Sequence, residues 1–181
     1  MDLSSKLEKI TSRTVPLYAL IILLVIFANP TYGSCFVGFL LVLCGESLRF
    51  WAAGHIRKND ELTTSGPYAY LQSPLYLGSY IVAMGFCIMA KNPVIWILSS
   101  VVFFLSYVPR KQEKEWGRLE KMFGEEFLKY KREVSYFMPR LDPYPEGTKH
   151  PWSLAVAIEN TEHQTGIAVV LIALFIFIRL L

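Results

Sequence analysis

Apolar residues along this chain are gathered into blocks, at residues 15–28, 33–53, 75–90, 93–108 and 166–181. Each block is strongly apolar, the pattern of a helix buried in hydrocarbon or protein. Several are short: at about 1.5 Å per residue they fall below a hydrocarbon slab of about 30 Å unless flanking residues join the helix. Asn29-Pro30-Thr31-Tyr32-Gly33 and Lys91-Asn92-Pro93 punctuate the pattern and predict tight hairpins between antiparallel neighbours. After Pro109, read as the end of the fourth helix, the pattern changes. Trp116, Leu119, Phe123, Phe127, Tyr130 and Val134 recur at steps of three and four, with Lys and Glu between them. That spacing predicts an amphipathic helix from Arg110 to about Val134, lying on a membrane surface or closing a pocket beneath the bundle. Pro139, Pro143, Pro145, Gly147 and Pro151 then predict a stiff, non-helical connection, with Trp152 as an interfacial anchor.

Composition turns this pattern into a fold class. The chain has 181 residues, 53% of them hydrophobic. One such block could be the buried helix of a soluble protein, but five in a chain of this length exceed what one soluble core hides. The expectation is an all-α membrane protein forming a single domain of about five transmembrane helices. Residues 54–74, a motif loop, and 109–165, with the amphipathic helix, are expected on the cytoplasmic side. Charge agrees: if every block crosses, all basic residues except Lys91 and Arg179 share one side, among them Lys6, Lys9, Arg13, Arg57, Lys58 and Lys149. This predicts a multi-pass protein with a cytoplasmic N-terminus, in a bacterial inner membrane or the endoplasmic reticulum. Arg179 is expected to snorkel, and the last block is the one whose full crossing is least assured by length. The net charge of +3 is topological and gives no reason to expect nucleic acid. A cleaved signal peptide is the rival reading of the first block, but Asn29-Pro30 makes a poor cleavage context and a retained helix is expected. Cys35, Cys44 and Cys87 lie inside apolar blocks without paired spacing, so they read as small core residues, with no metal site.

Glu46 and Arg49 share one helix face, and a charge at mid-bilayer costs about 2.5–3.5 kcal/mol, so mutual pairing or a polar cavity is expected there. The densest chemistry lies in residues 61–80, where glycine and proline fix a tight backbone among hydroxyls and Tyr68, Tyr70, Tyr76 and Tyr80. An interfacial tyrosine belt explains part of this, though not the order Gly66-Pro67-Tyr68 followed by Pro74-Leu75-Tyr76-Leu77-Gly78. His55 is either an interfacial polar residue or an aid to the loop; His150 and His163 look incidental.

In these segments the sequence resembles the isoprenylcysteine carboxyl methyltransferase family and its relatives among phospholipid methyltransferases. The approach Leu62-Thr63-Thr64-Ser65-Gly66-Pro67-Tyr68 matches. So does Pro74-Leu75-Tyr76-Leu77-Gly78, the second half of an Arg-His-Pro-x-Tyr-x-Gly motif. The third match is Glu113-Lys114-Glu115, Leu119 and Phe123-Gly124-Glu125-Glu126-Phe127-Leu128-Lys129-Tyr130, closing with Val134 and Pro139. Order and spacing agree over about residues 45–140.

The resemblance implies a helical membrane enzyme that transfers a methyl group from S-adenosylmethionine to a lipophilic acceptor reaching it from the bilayer, with no metal involved. The absence of a Gly-x-Gly-x-x-Gly turn fits. The implied donor-binding residues are Gly66, Tyr68, Gln72, Ser73, Pro74, Tyr76, Gly78 and Glu115. Glu115 suits ribose hydroxyls, and tyrosine faces suit a sulfonium. Arg110, Lys111 and Glu113 are the candidates for the reacting side; the two cations can hold a substrate carboxylate or be simple interfacial charges. Two departures stand out: Gln72-Ser73 replaces Arg-His, and Trp116 replaces the second of a usual glutamate pair. A hydrogen bond to a charged group is worth about 1.5–3 kcal/mol, so these replacements leave room for weaker donor binding, another substrate or a retired site. The rivals are a membrane reductase of the sterol type using reduced nicotinamide, and a non-catalytic membrane protein that keeps the fold.

Overall fold

The computed structural model describes residues 19–57, 61–148, 150–160 and 162–180. Expectations resting on Lys6, Lys9, Arg13, Lys58, Lys149 and the start of the first apolar block lie outside these residues. Everything described is helix or irregular chain. We number the helices α1 (residues 19–26), α2 (Tyr32–Ala53), α3 (Pro74–Met89), α4 (Pro93–Val102), α5 (Val108–Glu133), α6 (Leu154–Glu159) and α7 (Glu162–Ile178).

Both hairpins form where proline and polar residues interrupt the apolar pattern. Thr31 caps α2 reciprocally: its hydroxyl accepts the Ser34 N–H at 3.3 Å while the Ser34 hydroxyl accepts the Thr31 N–H at 2.9 Å. Asn92 caps α4 by accepting the Ile95 N–H at 3.1 Å. The two turns are tied together, since Asn29 N–H donates to Ala90 O at 3.0 Å. Arg179, at the end of α7, donates to Ile26 O at 2.9 Å and so closes the open carbonyls of α1 at this same end of the bundle.

The central contact is between α2 and α3, and it is made backbone on backbone. Gly38 and Gly45 of α2 face Gly85 and Gly78 of α3. A methyl group at Gly38 would lie 2.4 Å from Gly85 O, and one at Gly45 would lie 2.7 Å from Gly78 O. Only glycine permits this approach, which is the way helices associate where lipid removes any hydrophobic drive between them. Around the seam Leu24, Val42, Phe86, Met89, Ile95 and Ile176 are buried. Outward, Phe36 and Leu40 of α2, Ile97 and Val101 of α4, and Val170, Leu174 and Ile178 of α7 are exposed. A soluble monomer does not present apolar faces on this scale, and these match a bilayer. Two helical segments, Tyr32–Ala53 and Pro93–Glu133, are long and apolar enough to span; Pro74–Met89 and His163–Ile178 are shorter apolar helices packed with them. The chain is an all-helical membrane protein.

The expected break at Pro109 does not occur. The helix runs on from Pro93 to Glu133 through a π-helical turn at Phe103–Tyr107, where Val108 N–H reaches Phe103 O five residues back. Proline lacks a donor and crowds the carbonyl four residues before it; the widened turn absorbs both defects without ending the helix. The real bend lies further on, at Gly124, with φ +50° and ψ −123°. The short α6 was not anticipated, although Leu154 to Ile158 is an apolar run, and α7 begins at Glu162, ahead of the expected 166.

Beyond α5 the proline-rich connection is non-helical, as expected, and it straps the motif loop from behind. Gln72 N–H donates to Ser135 O at 3.0 Å, Arg140 N–H to Tyr70 O at 3.0 Å and Tyr144 N–H to Ala69 O at 2.9 Å. Thr148 N–H donates to the Thr64 hydroxyl at 2.8 Å. Trp152 donates to Phe50 O and packs its ring on Phe50, which ties the strap to the end of α2.

Candidate active site

The end of the bundle opposite the two hairpins holds the loop 61–73, pressed between the strap and α5. Its conformation starts with Gly66, at φ +57°, where a methyl group would sit 2.3 Å from the His55 ring. Only glycine fits there. His55 is buried beneath the loop with its Nδ1 at 3.2 Å from the Ser65 hydroxyl, and burial lowers its pKa from the ordinary imidazole value. His55 thus supports the loop from below. His150 is no bystander either: its Nε2 lies 2.8 Å from Glu61, which Arg57 also approaches at 3.5 Å.

Between this loop and α5 lies a cavity of about 420 Å³, within the range of small-molecule sites. Tyr68, Gln72, Ser73 and Tyr76 line one wall; Lys111, Glu115, Trp116, Leu119 and Phe123 line the other, and Tyr136 closes the floor. The structure brings Tyr68, Gln72, Ser73, Tyr76 and Glu115 together around one space. The Tyr76 hydroxyl donates to Glu115 Oε1 at 3.0 Å, and the Tyr136 hydroxyl makes a longer contact of 3.5 Å with Oε2. Burial raises the Glu115 pKa above the ordinary carboxyl value, although the Tyr76 hydroxyl and the charges of Lys111 and Arg118 pull it back. Burial likewise raises the Tyr136 phenol, so it stays a hydrogen-bond donor.

Other expected residues occupy other places. Gly66, Pro74 and Gly78 shape the cavity without lining it: Gly66 rests on His55, buried Pro74 starts α3, and Gly78 lies against Gly45 and Arg49 in the seam. Of the three candidates for the reacting side, Lys111 lines the cavity, while Arg110 and Glu113 are exposed on α5 outside it. Glu46 and Arg49 do pair, at 3.4 Å, and Arg49 also bonds the Ser79 hydroxyl. Tyr136 and Arg118 were missed, Tyr136 because it follows the apolar stripe in what reads as linker.

The two departures from the motif meet. Trp116 Nε1 donates to Gln72 Oε1 at 2.9 Å, Gln72 Nε2 donates to Val134 O, and Lys131 Nζ lies 3.9 Å above the Trp116 ring. A neutral hydrogen bond backed by a cation over the indole holds the loop to α5. Gln72 and Trp116 are therefore hydrogen-bonded partners across the gap between loop and α5.

A family model described as phospholipid methyltransferase matches residues 34–126, from the start of α2 into α5. The protein-S-isoprenylcysteine O-methyltransferase of Homo sapiens is 32% identical over 114 residues, which cover 56% of this chain and 40% of that protein. Its counterpart in Schizosaccharomyces pombe is 29% identical over 126 residues, covering 64% and 53%. The cobalt-zinc-cadmium resistance protein CzcN of Cupriavidus metallidurans is 32% identical over 128 residues, covering 66% and 58%. The chain spans about two fifths of the length of the first of these relatives. No solved structure matches it.

Proposed function

The chain belongs to the phospholipid methyltransferase family, and from that premise we propose that it transfers a methyl group from S-adenosylmethionine to a lipophilic acceptor at the cytoplasmic membrane face. The observation that carries this reading is the contact of Tyr76 with Glu115, because it joins the two motif segments across a cavity of suitable size. The residues fit the donor. Glu115 offers carboxylate oxygens to ribose hydroxyls, Trp116, Leu119 and Phe123 offer an apolar wall to adenine, and Tyr76 and Tyr136 offer ring faces to a cation. When bound, S-adenosylmethionine supplies an electrophilic methyl group on a sulfonium.

The protein's part is alignment and exclusion of water. Tyr76 and Tyr136 hold Glu115 in place before any ligand arrives, so little reorganisation is needed on binding. Lys111 lines the cavity together with Arg57, Lys114 and Arg118, and in this reading it holds an acceptor carboxylate, which is already nucleophilic at neutral pH and needs no base. Arg110 and Glu113 then act, if at all, from outside the cavity, through the field at its mouth. The isoprenylcysteine relatives support a lipidated acceptor. The membrane arrangement of this reading is five spans with the N-terminus, the loop 54–74 and residues 109–165 in the cytosol. It is supported by the loop and α5 lying at one end of the bundle and, among the described residues, by Arg57 and the bases of 110–140 belonging to that end, with Lys91 and Arg179 at the other.

The test is donor binding followed by transfer. Detergent-purified protein is expected to gain thermal stability with S-adenosylmethionine or its demethylated product, and to move tritium from labelled donor into a membrane lipid extract. Neither effect in a folded preparation would end this reading; stabilisation by reduced nicotinamide alone would point to a reductase instead.

A further inference from the structure

Glu46 pairs with Arg49 but takes no part in the cavity beside Glu115. It lines a second cavity, of about 450 Å³, between α2, α6 and the start of α7, and the two cavities share no lining residue. Beside Glu46 stand Ser47 and Phe50 of α2, Leu154 and Ile158 of α6, and His163 of α7. The walls are set before any ligand arrives. At one end of α6 the Ser153 N–H donates to Gly54 O at 3.1 Å; at the other the Asn160 side chain donates to Ala53 O at 3.1 Å and Ile56 O at 3.0 Å. A helix too short to be stable alone is thereby pinned over the end of α2. A preformed concave space, mostly apolar with a few converging polar groups, is the ordinary form of a small-molecule site.

The polar groups define what fits. Arg49 offsets the cost of a carboxylate in a membrane helix, yet it also bonds Leu75 O at 3.4 Å and the Ser79 hydroxyl on α3 and does not line this cavity. A carboxylate has about four acceptor positions, so pairing with Arg49 does not exhaust Glu46. The Ser47 hydroxyl and a ring nitrogen of His163 can accept as well, and among the described residues no lysine or arginine lines the space. Three acceptors without a cation call for a donor-rich head. A primary ammonium carries three N–H donors and no acceptor. A trimethylated ammonium carries none, and a phosphate would lie beside the carboxylate with no positive group to meet it. On α2, Leu43 lies one turn from Ser47 toward the middle of the bundle, and on α7 Val170 lies one turn from Gly166, which lines the cavity. Both are exposed, so the surface leading from the cavity into the bilayer is apolar.

We propose that this second cavity binds a membrane amphiphile that carries a primary ammonium head on an apolar chain and no phosphate, with the head on Glu46, Ser47 and His163 and the chain along Leu43 and Val170. The inference is independent of methyl transfer, because it concerns a different space and a ligand that is not consumed there. Walls already held by the contacts of Ser153 and Asn160 lose little freedom when the head enters.

The experiment uses the full chain in phosphatidylcholine nanodiscs with a hexadecylamine that carries a diazirine on its chain close to the head. Photolabelling is expected on the segments around Glu46, Ile158 and His163. Excess plain hexadecylamine should remove it, whereas the same amount of hexadecyltrimethylammonium or phosphatidylethanolamine should leave most of it. Glu46→Gln should lower the labelling about tenfold, the loss of one charge-assisted contact. Ile158→Trp, which fills the cavity and leaves the pair of Glu46 with Arg49 in place, should lower it about as far, and it serves if Glu46→Gln does not fold. Equal competition by the trimethylammonium compound would mean that only the chain is read, and equal competition by phosphatidylethanolamine would put a phospholipid in the cavity; either would overturn the proposal. So would label gathered around Tyr76 and Glu115, which would place the amine in the donor cavity, or an undiminished signal in both variants.

Discussion

The seam between α2 and α3 and the contact between the motif loop and α5 are held by opposite means. In the seam, glycines bring backbones together, with the side chains of Val42, Val82 and Met89 packed directly on them. At the loop, side chains do nearly everything: Tyr130 donates to Tyr68 O at 2.7 Å, Trp116 to Gln72, and Tyr76 to Glu115. A backbone contact has one geometry and nothing that can yield. A side-chain contact has rotamers, and it can exchange partners when a ligand arrives. The rigid half therefore fixes where α3 begins, and the adjustable half surrounds the cavity.

The largest expected effect comes from adding one methyl group to the rigid half. At Gly45→Ala the new Cβ would meet Gly78 O and Val82 N at under 3 Å, so the helices must part along the seam. A cost of about 3 kcal/mol or more is expected, the upper end of overpacking, read as a fall in the thermal midpoint or in folded yield. Gly33→Ala is the control. Nothing lies within 4 Å of that position, and alanine there should gain up to about 1 kcal/mol through helix propensity. If both substitutions behave alike, the seam is not what fixes α3.

In the adjustable half the expected loss is in binding. Glu115→Gln should weaken the demethylated donor by about 10- to 100-fold, the worth of roughly 1.5–3 kcal/mol for a charged hydrogen bond, with a smaller change in fold stability. The pH dependence has a definite sign. Burial raises the Glu115 pKa, so as pH falls the carboxylate is lost earlier than an exposed glutamate would lose it, and donor affinity should drop in that window. Ligand-free stability should move the other way. Between the ordinary and the raised pKa the folded state binds more protons than the unfolded state, so stability rises as pH falls. Titration of both quantities in wild type and in Glu115→Gln checks this, and the variant should flatten each profile.

Gly124 is expected to have a smaller effect than either. Its φ of +50° with ψ of −123° turns the second part of α5 so that Phe127, Tyr130 and Val134 reach the loop core, although open space surrounds its Cα. Gly124→Ala meets no clash, only backbone strain of about 1–2 kcal/mol. A lowered thermal midpoint with unchanged donor affinity is expected.

These cases also show what a sequence can reveal here. Hydrophobic blocks and their proline punctuation placed α2, α3 and both hairpins to within a residue or so, because burial and chain reversal leave local marks. The stripe from Trp116 to Val134 correctly marked the amphipathic helix. The glycine seam left no mark in hydropathy, since a glycine in an apolar run looks like any small residue. Pro109 misled, because the rule that proline ends a helix assumes a regular turn before it, and the π-helical turn is not one. Within the cavity Glu115 and Tyr76 were legible through the motif, whereas Tyr136 lies beyond residues 34–126 and had no pattern to announce it. The largest omission was relational: Gln72 and Trp116, forty-four positions apart, were each read as a loss.

That last pair supplies the finest test of the comparison, because it asks whether the adjustable half is a set of independent contacts. Trp116→Phe keeps an aromatic ring at the wall but removes the N–H that Gln72 Oε1 accepts and part of the ring area under Lys131, so about 1 kcal/mol or more is expected. Gln72→Leu removes the acceptor together with its donation to Val134 O. If the two act as one latch, the double variant should cost less than the sum of the singles, with a coupling of about 0.5–1 kcal/mol. The readout is donor affinity beside the thermal midpoint, because Trp116 also packs edge-on against Tyr136 at 5.9 Å, and Tyr136 in turn meets Glu115. Loss of affinity that tracks the coupling would mean the latch positions Glu115 through Tyr136. Strict additivity would mean that Gln72 and Trp116 are merely neighbours, each contributing on its own beside the other contacts that hold the loop.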